Sequence, residues 1–223
     1  MIRSHHLFLL VLLLVASTCS SNVQRCRTDK ALLEDNFNDT ACGWDQYDRK
    51  DASAGYSGSE YSMVVHQINT SAVSVVGAEW DNVLLQVDAR LADGSSDNNH
   101  GLLCRYRDLN HFYAFLVSSD GYYAIVKVIG ASPFLVLSGD GTYLLPSEAI
   151  QTGPDAVNEI RALCDGDQLA LYVNGQQLAS VSDTDLTSGD VGFLVSTYSD
   201  GATEIRFDNL LAWEVSGPGQ EAK

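Results

Sequence analysis

Six Asp-Gly or Asn-Gly dipeptides cut the chain, at Asp93-Gly94, Asp120-Gly121, Asp140-Gly141, Asp165-Gly166, Asn174-Gly175 and Asp200-Gly201. Each marks a tight turn, because glycine accepts the positive φ that such turns demand. Between the turns, apolar residues recur at every second position. In "LLQVDARL", Leu85, Val87, Ala89 and Leu91 face one way and Gln86, Asp88 and Arg90 the other, the period of a half-buried strand. "TEIRFDN" sets Ile205 and Phe207 inward in the same manner. "FYAFLV", "YYAIVKV" and "LALYV" are apolar on both parities and predict strands covered on both faces. "LALYVNGQQLASV" predicts a hairpin with Asn174-Gly175 at its tip. No helix is expected beyond a short turn at "LPSEAI". About a dozen strands at this spacing predict one all-β domain, a two-sheet antiparallel β-sandwich.

The N-terminus reads as a targeting segment. "MIRSHH" carries Arg3, the apolar run "LFLLVLLLVA" is too short to span a bilayer as a mature helix, and the small residues "ASTCSS" follow. Residues 1–18 are expected to be a signal peptide, 19–30 a tether and N-terminal loop, 31–215 the folded domain, and 216–223 a flexible tail. Cys19 stands where a bacterial lipoprotein signal places its lipidated cysteine; ordinary cleavage after Ser20 or Ser21 would remove it. The protein is therefore expected to be secreted, or anchored to the cell envelope by lipid on Cys19. That anchor would be its one membrane attachment. The formal net charge of −16 disfavours nucleic acid and anionic lipid as partners.

Setting Cys19 aside, an even number of cysteines remains for an oxidising compartment. Cys26 and Cys42 flank the first strand and form the natural local pair. Cys104 and Cys164 sit in two strand-like runs, "GLLCRYR" and "NEIRALCDG", and are expected to join them. The spacing lacks the C-x-x-C or nearby Cys/His pairs that zinc requires.

Three longer stretches carry a resemblance: "GLLCRYRDLNHFYAFLVSSDGYYAIVKV", "NEIRALCDGDQLALYVNGQQLASVSD" and "GDVGFLVSTYSDGATEIRFDNLLAW". They resemble the concanavalin A-like, laminin-G-like jelly roll, and within it the bacterial exported 3-keto-disaccharide hydrolase-like domains. The motifs behind the resemblance, "LYVNGQ", "GDVGF" and "FDNL", are architectural, so it implies a fold more than a function. It implies a lectin-like, non-catalytic domain that binds carbohydrate or another cell-surface component. The alternatives are a glycoside-cleaving enzyme of the 3-keto-disaccharide hydrolase-like type and a protein-interaction module without a small ligand.

Candidate residues follow from chemistry. Retaining glycosidases need paired carboxylates, and the nearest pair, Glu204 and Asp208 in "TEIRFDNLLAWE", lacks their pattern. Ser57 in "GYSGS" lacks the G-x-S-x-G spacing of a nucleophile elbow. No catalytic residue is assigned. Sugar binding needs aromatic faces beside polar donors. Trp44 is expected to be exposed in a loop, and His111 beside Asp108 at the turn "RDLNH" is a candidate ligand contact. The strands of "HGLLCRYRDLNHFYAFLVSSDGYYAIVKV" are expected to lie side by side. Strict alternation then places Arg105, Arg107, Tyr113 and Tyr123 on the solvent side of one sheet, with Cys104 and Tyr106 on the other face. No cofactor is implied. Calcium is the one cation with candidate ligands, Asp183, Asp185 and Asp190 in "SDTDLTSGD", because rim-loop carboxylates suit a hard cation. Nothing in the sequence indicates an oligomeric state.

Overall fold

The alternating runs become strands in the computed structural model, which describes residues 22–131, 134–153, 155–199 and 201–215. The expected signal peptide, Cys19 and residues 216–223 lie outside the described residues. Sixteen strands are formed among those described: β1 (Leu33–Asp35), β2 (Tyr47–Asp48), β3 (Ala52–Ser57), β4 (Glu60–Val65), β5 (Thr70–Trp80), β6 (Val83–Asp93), β7 (Asn98–Asp108), β8 (His111–Val117), β9 (Tyr122–Ile129), β10 (Leu135–Val136), β11 (Leu145–Pro146), β12 (Val157–Asp165), β13 (Gln168–Val173), β14 (Gln176–Ser182), β15 (Gly189–Thr197) and β16 (Thr203–Glu214). A single 3-10 turn, Asn22–Arg25, precedes them. None of the described residues forms a helix long and apolar enough to cross a membrane.

Two antiparallel sheets result. One runs β14-β13-β12-β6-β16-β4-β3-β2, with β1 beside β16; the other runs β10-β9-β8-β7-β15-β5, with β11 beside β9. β7, β8 and β9 are neighbours, as the sequence predicts, and β13 and β14 form the expected hairpin around Asn174 and Gly175. Leu85, Val87 and Ala89 of β6 and Ile205 and Phe207 of β16 point into the core between the sheets.

The centre of that core is aromatic. Phe193 of β15 is stacked between Trp44, at 4.6 Å, and Phe207, at 4.2 Å between ring centroids. Phe37 and Tyr61 pack around the same ring. Trp44 is 2% exposed, so the exposed position expected for it is wrong. Its indole Nε1 donates to Asp35 Oδ2 at 3.1 Å, and that one bond lets the ring enter the core with no unpaired polar atom. Burial pushes the Asp35 carboxyl up to about 6, against the hydrogen bonds from the Phe37 N–H and Trp44.

Both disulfides expected from the sequence are formed. Cys26 and Cys42 have Cα atoms 5.4 Å apart, and Cys104 and Cys164 6.8 Å. The second joins β7 of one sheet to β12 of the other. With its cysteines 60 positions apart, it contributes about 4 kcal/mol by restricting the unfolded chain.

Phe193→Ala removes the shared partner of two stacked rings, and we expect it to cost about 3–5 kcal/mol in chemical denaturation. Leu109→Ala, at a turn residue 67% exposed, should leave the midpoint within about 0.5 kcal/mol of the wild type.

Candidate functional site

Three neighbouring strands lose their regular register at one level of the seven-stranded sheet. Opposite Val191 of β15, β7 places two residues, Cys104 and Arg105, and β5 places three, Val76, Gly77 and Ala78. Arg105 takes φ +52° and Gly77 φ +80°, the left-handed geometry that an extra residue in a strand often needs. Gly189 lies at the same level, where an added Cβ would sit 2.5 Å from the carbonyl carbon of Arg105. Asp190 locks the distortion by accepting hydrogen bonds from the backbone N–H groups of Gly77, Ala78 and Val191 at 2.8–2.9 Å.

The bulge overturns the expected facing of β7. Cys104 packs in the core between the sheets, whereas Tyr106 packs against a second apolar cluster on the outer face of the seven-stranded sheet. Arg105 is 2% exposed and not on the solvent side. Its Nε donates to the Asp81 carbonyl at 3.2 Å, Nη1 to Leu186 at 2.8 Å and Nη2 to Gly166 at 2.7 Å. Burial lowers the pKa of the guanidinium, and three carbonyl dipoles replace the water it lost. Arg105 thus ties three turns together at one end of the sandwich.

Tyr113 is also fully buried. Its hydroxyl donates to Asp183 and accepts from the Leu186 N–H, and burial pushes its pKa up to about 12. Lys127 of β9 donates to Asp183 and, at 2.6 Å, to Asp185. Two of the three carboxylates named for calcium are therefore neutralised by a lysine, and the third, Asp190, caps the bulge. Among the described residues no three His, Cys, Asp or Glu side chains converge to hold a metal ion. Tyr123 packs on the inter-sheet core, so it too leaves the solvent side where alternation had put it. His111 is paired with Asp108 at 2.9 Å.

Of the residues predicted for the ligand, Arg107 lines the cleft beside the bulge. Exposed at the end of β7, it borders about 580 Å³ together with Tyr106, Gly77, Ala78, Glu79, Ser188, Gly189 and Asp190. Its Nε donates to the Ser188 carbonyl at 3.2 Å, which steadies the guanidinium. Ser188 Oγ donates to Glu79 at 2.8 Å. Tyr106 is half-buried, with its ring 5.9 Å from that of Phe112. The cleft thus combines an aromatic ring, a cationic fork, a hydroxyl and two carboxylates. Sequence reasoning missed Tyr106, Glu79 and Ser188; the glycines in "VVGAEW" and "SGDVG", inside strand-like runs, were the available signal of a bulge.

Two other clefts carry no aromatic ring. One, of about 530 Å³, lies at the opposite end of β7 and is lined by Asp93, Ser96, Ser119, Asp120, Thr152 and Asp155 among others. Its carboxylates are engaged locally, Asp155 by Arg90 and Asp120 by Ser118. The other, of about 430 Å³, surrounds Asp35 and the Cys26–Cys42 bridge. Glu204 is held by Ser62 and Arg206, and Asp208 accepts from the Asn209 N–H.

No family model matches the chain, and no curated protein matches it in sequence. Solved structures do. The carbohydrate-binding module CBM66 from Bacillus subtilis is 14% identical, with 77% of this chain and 96% of that one covered at a TM-score of 0.56. A Bacillus subtilis protein of unknown function with a galectin-like fold is 11% identical, covering 86% and 99% at 0.60. The GH43 protein BlXynB from Bacillus licheniformis is 10% identical, covering 82% of this chain and 39% of that one at 0.55. The fold is a jelly roll of the concanavalin A-like type. At these identities the likeness is one of fold alone.

Two outcomes separate the arginines. Arg105→Ala orphans three carbonyls and should cost at least about 2 kcal/mol; Arg107→Ala should shift stability by less than about 0.5 kcal/mol. Thermal unfolding of both variants checks this. Burial pushes Asp190 up to about 6, against its three backbone hydrogen bonds. A carboxyl whose folded pKa is raised binds more protons in the native state between its ordinary value and the raised one. Its stabilisation is present below that window and is lost as pH rises through it. The melting temperature of the wild type should therefore fall relative to that of Asp190→Asn between pH 4 and pH 7.

Proposed function

We propose that the protein is an exported, non-catalytic jelly roll that binds neutral carbohydrate at the Tyr106–Arg107 cleft. The observation that carries this reading is the juxtaposition of a half-buried tyrosine ring with Arg107, Ser188, Glu79 and Asp190 around one cleft. A pyranose stacks its apolar face on such a ring while its hydroxyls need both donors and acceptors. Arg107 supplies donors, Glu79 supplies acceptors, and Ser188 Oγ, which donates to Glu79, can accept. With two carboxylates to one guanidinium and a net charge of −16, an anionic glycan would be repelled. The carbohydrate-binding module among the similar structures supports the same class of ligand. Cell-surface glycan is the partner this implies.

Two disulfides support an oxidising, extracellular compartment. Lipid on Cys19 is part of the same reading. Cys19→Ser should move the protein from the detergent phase to the medium; unchanged partitioning would reject the anchor.

A glycan array of neutral sugars tests the binding. Tyr106→Ala and Arg107→Ala should each lower binding about tenfold, the loss of one stacked ring or one charge-assisted contact, and Arg107→Ala should do so with little change in melting temperature. Binding that survives both substitutions would move the site elsewhere.

A further inference from the structure

The cleft is not the end of the aromatic surface. From Tyr106 the outer face continues through Phe112, and the Phe134 ring lies 6.2 Å from that of Phe112 in an edge-on arrangement. Phe112 is 3% exposed and Phe134 42%. Phe112 is thus a buried support between two accessible rings, whose centroids lie at most about 12 Å apart. Phe134 begins a flap of residues 134–146 beside β9. The flap is fixed rather than free: Val136 and Leu144 pack on the outer cluster, and its short strands β10 and β11 both pair with β9. Next to Leu144 it presents Tyr143, which is 72% exposed.

A single exposed ring carries no meaning, but contiguous apolar surface marks binding sites, and Phe112 joins Phe134 to Tyr106. The packing of the flap spends Val136 and Leu144 and leaves Phe134 and Tyr143 facing water. Neither Phe112 nor Phe134 lines the cleft, so a ligand that used both accessible rings would have to extend out of it, as a chain does. The polar groups lie at the Arg107 end, and the surface towards the flap is apolar, which suits one well-coordinated sugar followed by units held mainly by ring stacking.

We infer that the ligand is an oligosaccharide or polysaccharide chain, bound along the row from Tyr106 over Phe112 to Phe134, with the flap as its second half-site. This rests on the carbohydrate reading of the Tyr106–Arg107 cleft and extends it.

Isothermal titration with cello-, xylo- and fructo-oligosaccharides, each from one to six units, tests it. For the series that binds, affinity should rise with the first added units and then level off. Phe134→Ala should abolish the rise, about tenfold for one stacking contact, while leaving single-sugar affinity unchanged. Phe134→Leu, which keeps apolar packing on Phe112 without the ring, should lose the rise as well and guards against a folding defect. Tyr106→Ala should lower affinity at every length. Affinity independent of length, or a rise that survives both Phe134 variants, overturns the extension while the cleft stands. Loss at Phe134 with none at Tyr106 overturns the row, and failure of every series to bind overturns both readings.

Discussion

One extra residue in β7 decides how this sandwich works. Because Cys104 and Arg105 together lie opposite Val191, Cys104 stays in the core and bonds Cys164 across the sheets, while the next residues change face. Arg105 turns inward to three carbonyls, and Tyr106 and Arg107 reach the outer cleft. Without the bulge, alternation would set Arg105 and Arg107 together on the outside and send Tyr106 inward with Cys104. The cleft would then have no ring. The bulge is itself held by neighbouring chemistry: Asp190 satisfies three N–H groups that the distorted β5 and β15 leave without ladder partners, and Gly189 admits the backbone of Arg105.

Charge is distributed to match. A guanidinium buried without carbonyl partners would cost more than the fold could offset. Here its three hydrogen bonds join the β5–β6 turn, the β12–β13 turn and the loop before β15. Lys127 closes the adjacent edge by joining β9 of one sheet to the Asp183–Asp185 loop that leaves the other, and Tyr113 binds the same loop from within. Four polar side chains that look like ligand contacts in the sequence, Arg105, Tyr113, Asp183 and Asp190, are committed to holding this end of the sandwich rigid. A cleft built on such a rim would need little reordering to bind the proposed ligand.

The fold was legible because its signals are local and repeated. Period-2 alternation in β6 and β16, continuous apolar runs in β8 and β9, and Asn174-Gly175 at the β13–β14 tip all mean the same thing in any two-sheet protein. The two disulfides were legible because strand placement left one sensible partner for each cysteine. The site was legible only in part. Arg107 was found, but alternation fails where a strand bulges, and the bulge depends on β5 and β15, which lie far from β7 in sequence. Trp44 was misread because a tryptophan after a cysteine and a glycine looks like a loop residue; its entry into the core depends on the Asp35 carboxylate, nine positions away. Asp183 and Asp185 looked like an open cation site because the lysine that fills it is contributed by β9.

The central claim is that ligand binds at the bulged end of the outer face and not at the opposite end of β7. Backbone amide shifts measured by NMR during titration with a neutral oligosaccharide test it directly. The signals of Gly77, Glu79, Tyr106, Arg107, Ser188, Gly189 and Asp190 should move with one affinity, and those of Asp93, Ser96, Ser119, Thr152 and Asp155 should stay still. Shifts gathered on the second group, with the first unmoved, would contradict the account.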